Sequence, residues 1–106
     1  MDKKSKKEIN LGSIEKIPLG QGHCFIVGSE EVAVFRPRAG GLFAIQNKCP
    51  HRAGPLAEGV CDSHTVICPY HGHKFDLKTG AGSESGEQVK TFNVIEKNGE
   101  LFFDAD

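Results

Sequence analysis

Cys49-Pro50-His51 is followed, after the sixteen residues 52–67, by Cys68-Pro69-Tyr70-His71. No other feature restricts this chain as strongly. Each half supplies one thiol and one imidazole from a short segment stiffened by proline, whose ring fixes φ. Two cysteines and two histidines can bind one metal centre. The remainder of the chain must then be a base that holds two ligand loops side by side.

The spacing discriminates between metals. Structural zinc sites usually space their ligands as C-x₂₋₄-C and H-x₃₋₅-H, and C-x-H with C-x₂-H matches that poorly. It fits a Rieske-type [2Fe–2S] centre, in which two His replace two Cys on one of the two irons. Cys49 and Cys68 would sit on the inner iron, His51 and His71 on the outer one. Two thiolates and two neutral imidazoles leave the oxidised core uncharged. Adding an electron is then easier than with four thiolates, and the potential is raised.

Cys49-Pro50-His51-Arg52-Ala53-Gly54-Pro55-Leu56 and Cys68-Pro69-Tyr70-His71-Gly72 resemble the two ligand loops of Rieske domains. Phe75-Asp76-Leu77 and Thr79-Gly80 resemble the strand and turn that follow the second loop. The resemblance implies one [2Fe–2S] cluster per chain, held by Cys49, His51, Cys68 and His71.

At 106 residues, the chain is expected to form one domain. With a net charge of −1 it lacks the basic footprint of a nucleic-acid binder. Residues 1–7 read as a flexible lysine-rich arm, and Ile9-Asn10-Leu11-Gly12-Ser13 is too mixed to continue it as a signal peptide. No run approaches the roughly 18 apolar residues of a membrane span. The expectation is a cytoplasmic protein with reduced thiols. Cys24, in His23-Cys24-Phe25-Ile26-Val27, reads as a buried small hydrophobe, and Cys61 as core filler rather than a spare ligand.

The rest reads as short strands separated by turns. Val32–Phe35 ends at Pro37; Gly40-Gly41 turns the chain into Leu42–Ile45, which leads to the first ligand loop. Thr65–Ile67 leads into the second. Val89–Ile95 and Leu101–Phe103 flank Asn98-Gly99, a strong hairpin signal. Ser13–Ile17 allows one helical turn at most, and Ala81–Gly86 reads as a loop. The expected fold is all-β: a Rieske-like antiparallel β-sandwich or barrel base from about 8–46 and 78–104, with a small inserted cluster-binding subdomain at about 47–77.

Departures from the family refine this. High-potential Rieske proteins clasp their loops with a disulfide, but the matching positions here are Gly54 and Tyr70. Those proteins also set a Ser and a Tyr hydroxyl near the sulfurs, where this chain has His73 and Phe75. Fewer donors imply a low-potential, ferredoxin-like centre. His73 is either a donor to the cluster or an exposed polar residue, the second being favoured slightly. Lys48, Arg52 and Lys74 flank the ligands and could steer a partner, with Lys90 and Lys97 taken as remote cations.

Across its length the chain resembles the small subunit of the cytoplasmic NAD(P)H-dependent nitrite reductase, notably through Val27–Arg36, Phe43–His51, Gly54–Gly59 and Phe75–Gly80. That resemblance implies an electron-transfer subunit, without catalysis of its own, serving a large flavin- and sirohaem-bearing subunit that reduces nitrite to ammonium. Two other readings stand beside it: a free-standing Rieske ferredoxin delivering electrons to an aromatic-ring-hydroxylating dioxygenase, and a structural metal-binding module.

Overall fold

A computed structural model describes residues 8–48, 55–69, 72–83 and 86–104. The described residues form nine strands: β1 Glu8–Ser13, β2 Gln21–Val27, β3 Glu30–Arg36, β4 Phe43–Gln46, β5 Val60–Cys61, β6 Thr65–Ile67, β7 Lys74–Asp76, β8 Thr91–Lys97 and β9 Glu100–Asp104. The only helical pieces among the described residues are two 3₁₀ turns, Ile14–Lys16 and Leu56–Glu58. The expected all-β class is what the chain forms.

Six strands make one antiparallel sheet in the order β1-β9-β8-β4-β3-β2, and β5-β6-β7 make a smaller one. The hairpin joining β8 and β9 turns at Asn98 and Gly99, with φ of 53° and 82°. A type I′ turn needs positive φ at both central residues, which Asn tolerates and Gly adopts freely. The first 3₁₀ turn is capped by the Ser13 hydroxyl, which accepts from the Glu15 amide at 3.0 Å.

Strand β3 explains the layering. Its residues alternate between two cores, as the period of two requires. Val32 and Val34 join Leu11, Ile14, Ile17, Phe25, Ala44, Leu101 and Phe103. Ala33 and Phe35 join Ile45, Leu56, Val66, Cys68, Phe75, Leu77 and Val89. Leu11 and Phe25 come from the two edge strands of the large sheet yet share one cluster, so that sheet is curled around it. The second cluster lies between the outer face of β3 and β4 and the small sheet. All four of these β3 side chains are fully buried. A slip of one residue in the β3 register would exchange the two sets.

Strand β1 falls within the expected base and pairs with β9. Two local readings are corrected. Val89 precedes its strand rather than opening it: Gly82 bridges Phe75 of β7, and Gln88 in turn bridges Ala81. Cys24 is half-buried rather than buried.

Candidate metal centre

The first candidate loop leaves the end of β4. Its stem is organised by Asn47, which is 4% exposed. The Asn47 amide donates to the Glu31 carbonyl at 2.9 Å, and the Asn47 carbonyl accepts from the Leu56 amide at 2.6 Å. The Asn47 side chain works both ways: Oδ1 accepts from the Ala57 amide at 2.8 Å, and Nδ2 donates to Glu31 Oε1 at 3.3 Å. Lys48 and Pro55 then pair in an antiparallel bridge. The stem formed by Asn47, Lys48, Pro55 and Leu56 is thus tied on one side to β3 and on the other to the 3₁₀ turn. Leu56, fully buried, plugs that turn into the same apolar cluster that holds Cys68.

The second candidate loop leaves the end of β6. Ile67 and Lys74 form the last ladder pair. Beyond it the Cys68 amide donates to the His73 carbonyl at 2.7 Å, and the Gly72 amide donates to the Cys68 carbonyl at 3.1 Å. Cys68 is 2% exposed. Its thiol thus stands at the base of a hydrogen-bonded loop, in one apolar cluster with Leu56, Val66 and Phe75. Of the four sequence candidates, Cys68 lies within the described residues; Cys49, His51 and His71 fall outside them, as do Arg52, Gly54 and Tyr70.

His73 departs from expectation. It is not an exposed polar residue: its Nδ1 lies 2.8 Å from Glu87 Oε2, with the two side chains 18% and 14% exposed. The other carboxylate oxygen, Glu87 Oε1, is buried without a hydrogen-bond partner. Phe75 is fully buried.

The remaining described thiols are Cys24 and Cys61. Burial, and secondarily the charge of Asp62, pushes the Cys61 thiol up; burial and then Glu31 do the same for Cys24. Cys61 packs partly against the core and its sulfur contacts the Asp62 carbonyl at 3.1 Å. Among the described residues no three His, Cys, Asp or Glu side chains gather into an alternative metal site. The donor chemistry of the two loops, with one buried thiol already at its stem, fits a two-thiolate, two-imidazole cluster.

Sequence reasoning did not assign roles to Asn47 or Glu87. Asn47 carried a weak signal, as one of the two amides Gln46-Asn47 between an apolar strand and the loop. Glu87 carried none, because its partner is fourteen positions away across a Gly/Ser-rich segment.

A family model for the Rieske-like [2Fe–2S] domain matches residues 9–103. Ferredoxin CarAc of Metapseudomonas resinovorans is 33% identical over 78 residues, covering 72% of each chain. Other curated relatives are much longer: the chain spans 13% of a 4β-methylsterol monooxygenase of Methylococcus capsulatus, 45% identical over 47 residues, and 11% of the human apoptosis-inducing factor 3. Among solved structures, the ferredoxin of carbazole 1,9a-dioxygenase from Nocardioides aromaticivorans superposes with a TM-score of 0.82 at 25% identity, over 93% of this chain and 98% of that one. A protein described as the NADH-dependent nitrite reductase small subunit of Mycobacterium tuberculosis superposes with a TM-score of 0.85 over 97% and 98%; at 17% identity it is a likeness of fold.

Proposed function

Since the chain belongs to the Rieske-like [2Fe–2S] domain family and carries that cluster for electron transfer, we propose that Cys49 and Cys68 hold one iron, that His51 and His71 hold the other, and that the chain delivers single electrons to a separate catalytic oxidoreductase. The cluster supplies reversible one-electron chemistry, at a potential raised by its imidazole ligands. The protein's part is to fix the two loops at their stems, through Asn47 and the Lys48–Pro55 bridge on one side and the Cys68–His73 hydrogen bond on the other. Burial of Cys68 in the core cluster is the observation that carries the ligand assignment. With no described helix long and apolar enough to cross a membrane, a cytoplasmic setting is part of the proposal.

Two partner classes are supported by different observations. The small subunit of nitrite reductase is favoured by Cys49-Pro50-His51 with Gly54-Pro55-Leu56. A ferredoxin serving a ring-hydroxylating oxygenase is favoured by the match to CarAc over most of both chains. Anaerobic co-purification from the source cell separates them: a flavin- and sirohaem-bearing large subunit supports the first, a terminal oxygenase the second. The carrier reading itself is tested by metal and sulfide analysis. Two irons and two acid-labile sulfides per chain are expected, with a rhombic paramagnetic signal after dithionite reduction. Stoichiometric zinc without iron, from an iron-replete host, would overturn it.

A further inference from the structure

The side-chain contact between His73 and Glu87 is not used by the ligand assignment. It couples a remote carboxylate to the backbone of the second loop. The His73 carbonyl receives the Cys68 amide at 2.7 Å, while its ring nitrogen is held by Glu87 Oε2 at 2.8 Å. Fixing the ring fixes the residue whose carbonyl fixes Cys68. The carboxylate is itself built in. The Glu87 carbonyl accepts from the Gly82 amide at 3.0 Å. A Cβ at Gly82 would come within 2.6 Å of Glu87 Cβ, 3.0 Å of Phe75 Cε1 and 3.1 Å of Glu87 Oε1. A side chain at position 82 would press on Glu87 and on the Phe75 ring, and glycine leaves that space free. Glu87 Oε1 is buried there with no partner. A carboxylate oxygen buried without a hydrogen bond costs free energy, a cost set against the contact that Oε2 makes with His73.

We propose that Glu87 is a positioning residue for the cluster: through His73 it holds the Cys68 loop in its ligating geometry, and Gly82 is the space that admits it. Groups that orient metal ligands typically change metal affinity by about 10–100-fold when removed. The proposal rests on the assignment of Cys68 as a ligand.

The test compares assembled wild-type, Glu87→Ala, Glu87→Gln and Gly82→Ala proteins. Two quantities are read: the rate at which a chelator bleaches the cluster, and amide hydrogen exchange of β3 and β4 in the same holoprotein. Glu87→Ala should bleach at least about tenfold faster with β3 and β4 exchange unchanged. Gly82→Ala should follow it, and Glu87→Gln, which keeps an acceptor oxygen, should recover most of the difference. Bleaching within twofold of wild type in Glu87→Ala overturns the proposal. So does faster bleaching matched by faster exchange in β3 and β4, which is general destabilisation, and so does failure of Glu87→Gln to recover. A wild-type chain that assembles no cluster would remove the ligand assignment instead.

Discussion

Phe75 and Cys68 occupy one buried cluster, and their proximity gives a single-residue question about potential. Phe75 has no exposed surface and no hydrogen-bonding group. Hydrogen bonds to the sulfurs and the surrounding dielectric tune such centres. An apolar ring in place of a donor therefore leaves the reduced state less stabilised, and the expected potential lies toward the bottom of the roughly −150 to +300 mV Rieske range. Phe75→Tyr is expected to raise it, measured by film voltammetry at neutral pH. The new hydroxyl also reports on its own surroundings. If it finds no acceptor, its burial costs about 1–3 kcal/mol and leaves the potential unmoved, a result that would deny it access to the cluster sulfurs.

Among the elements, the stem of the first loop depends on one amide. Asn47 serves the Leu56 and Ala57 amides and reaches back to Glu31, tying β3, β4 and the 3₁₀ turn together. Asn47→Leu keeps the volume but strands the Ala57 amide, and a buried donor without a partner costs about 1–3 kcal/mol. Chemical denaturation should show that loss, and the variant should retain less iron than wild type when purified identically. Asn47→Asp, which preserves the acceptor, should keep more of the stability. A midpoint equal to wild type in Asn47→Leu would remove this role. The contrast with what the sequence disclosed is physical. Alternating apolar residues and the Asn98-Gly99 turn are local signals, and strands β3, β4, β6 and β9 follow them. Strand β1 has only the short alternation of Ile9 and Leu11, and its partner β9 lies at the other end of the chain. The same holds for the polar ties. Cysteine and histidine spacing is written along the chain, whereas Asn47–Glu31 and His73–Glu87 arise only when distant segments meet. His73 reads as a surface residue until Glu87 is brought to its side.

At the scale of the molecule, the curled sheet puts the β8–β9 hairpin and the candidate loops at different ends of the long strands. Strand β4 runs into the first loop, and β8 begins beside it: Ile45 pairs with Thr91, and the Gln46 side chain joins Lys48 and Lys90. Lys90, taken from sequence as a remote cation, is therefore a neighbour of Lys48, and it pairs with Glu30 at 2.8 Å. Lys97 is remote, six residues along β8, where it pairs with Glu8. Lys16 shares that end, since the Ile14 amide bonds the Gly99 carbonyl. Lys74 is exposed beside the second loop, and Lys48 is exposed beside the first, 3.8 Å from Glu31. If the cations at the loops steer a redox partner, the local field and not the net charge must matter, and it should fade once salt shortens the Debye length below about 8–10 Å. Small oxidants of opposite charge read that field directly. Arg52→Glu with Lys74→Glu should slow oxidation of the reduced cluster by anionic ferricyanide several-fold at low salt and accelerate oxidation by cationic hexaamminecobalt(III). Both differences should shrink in high salt. Lys16→Glu with Lys97→Glu makes the same change in net charge at the hairpin end and should alter neither rate much. Equal responses from the two pairs would show that the electron leaves under the field of the whole molecule, and the loop cations would then have no steering role.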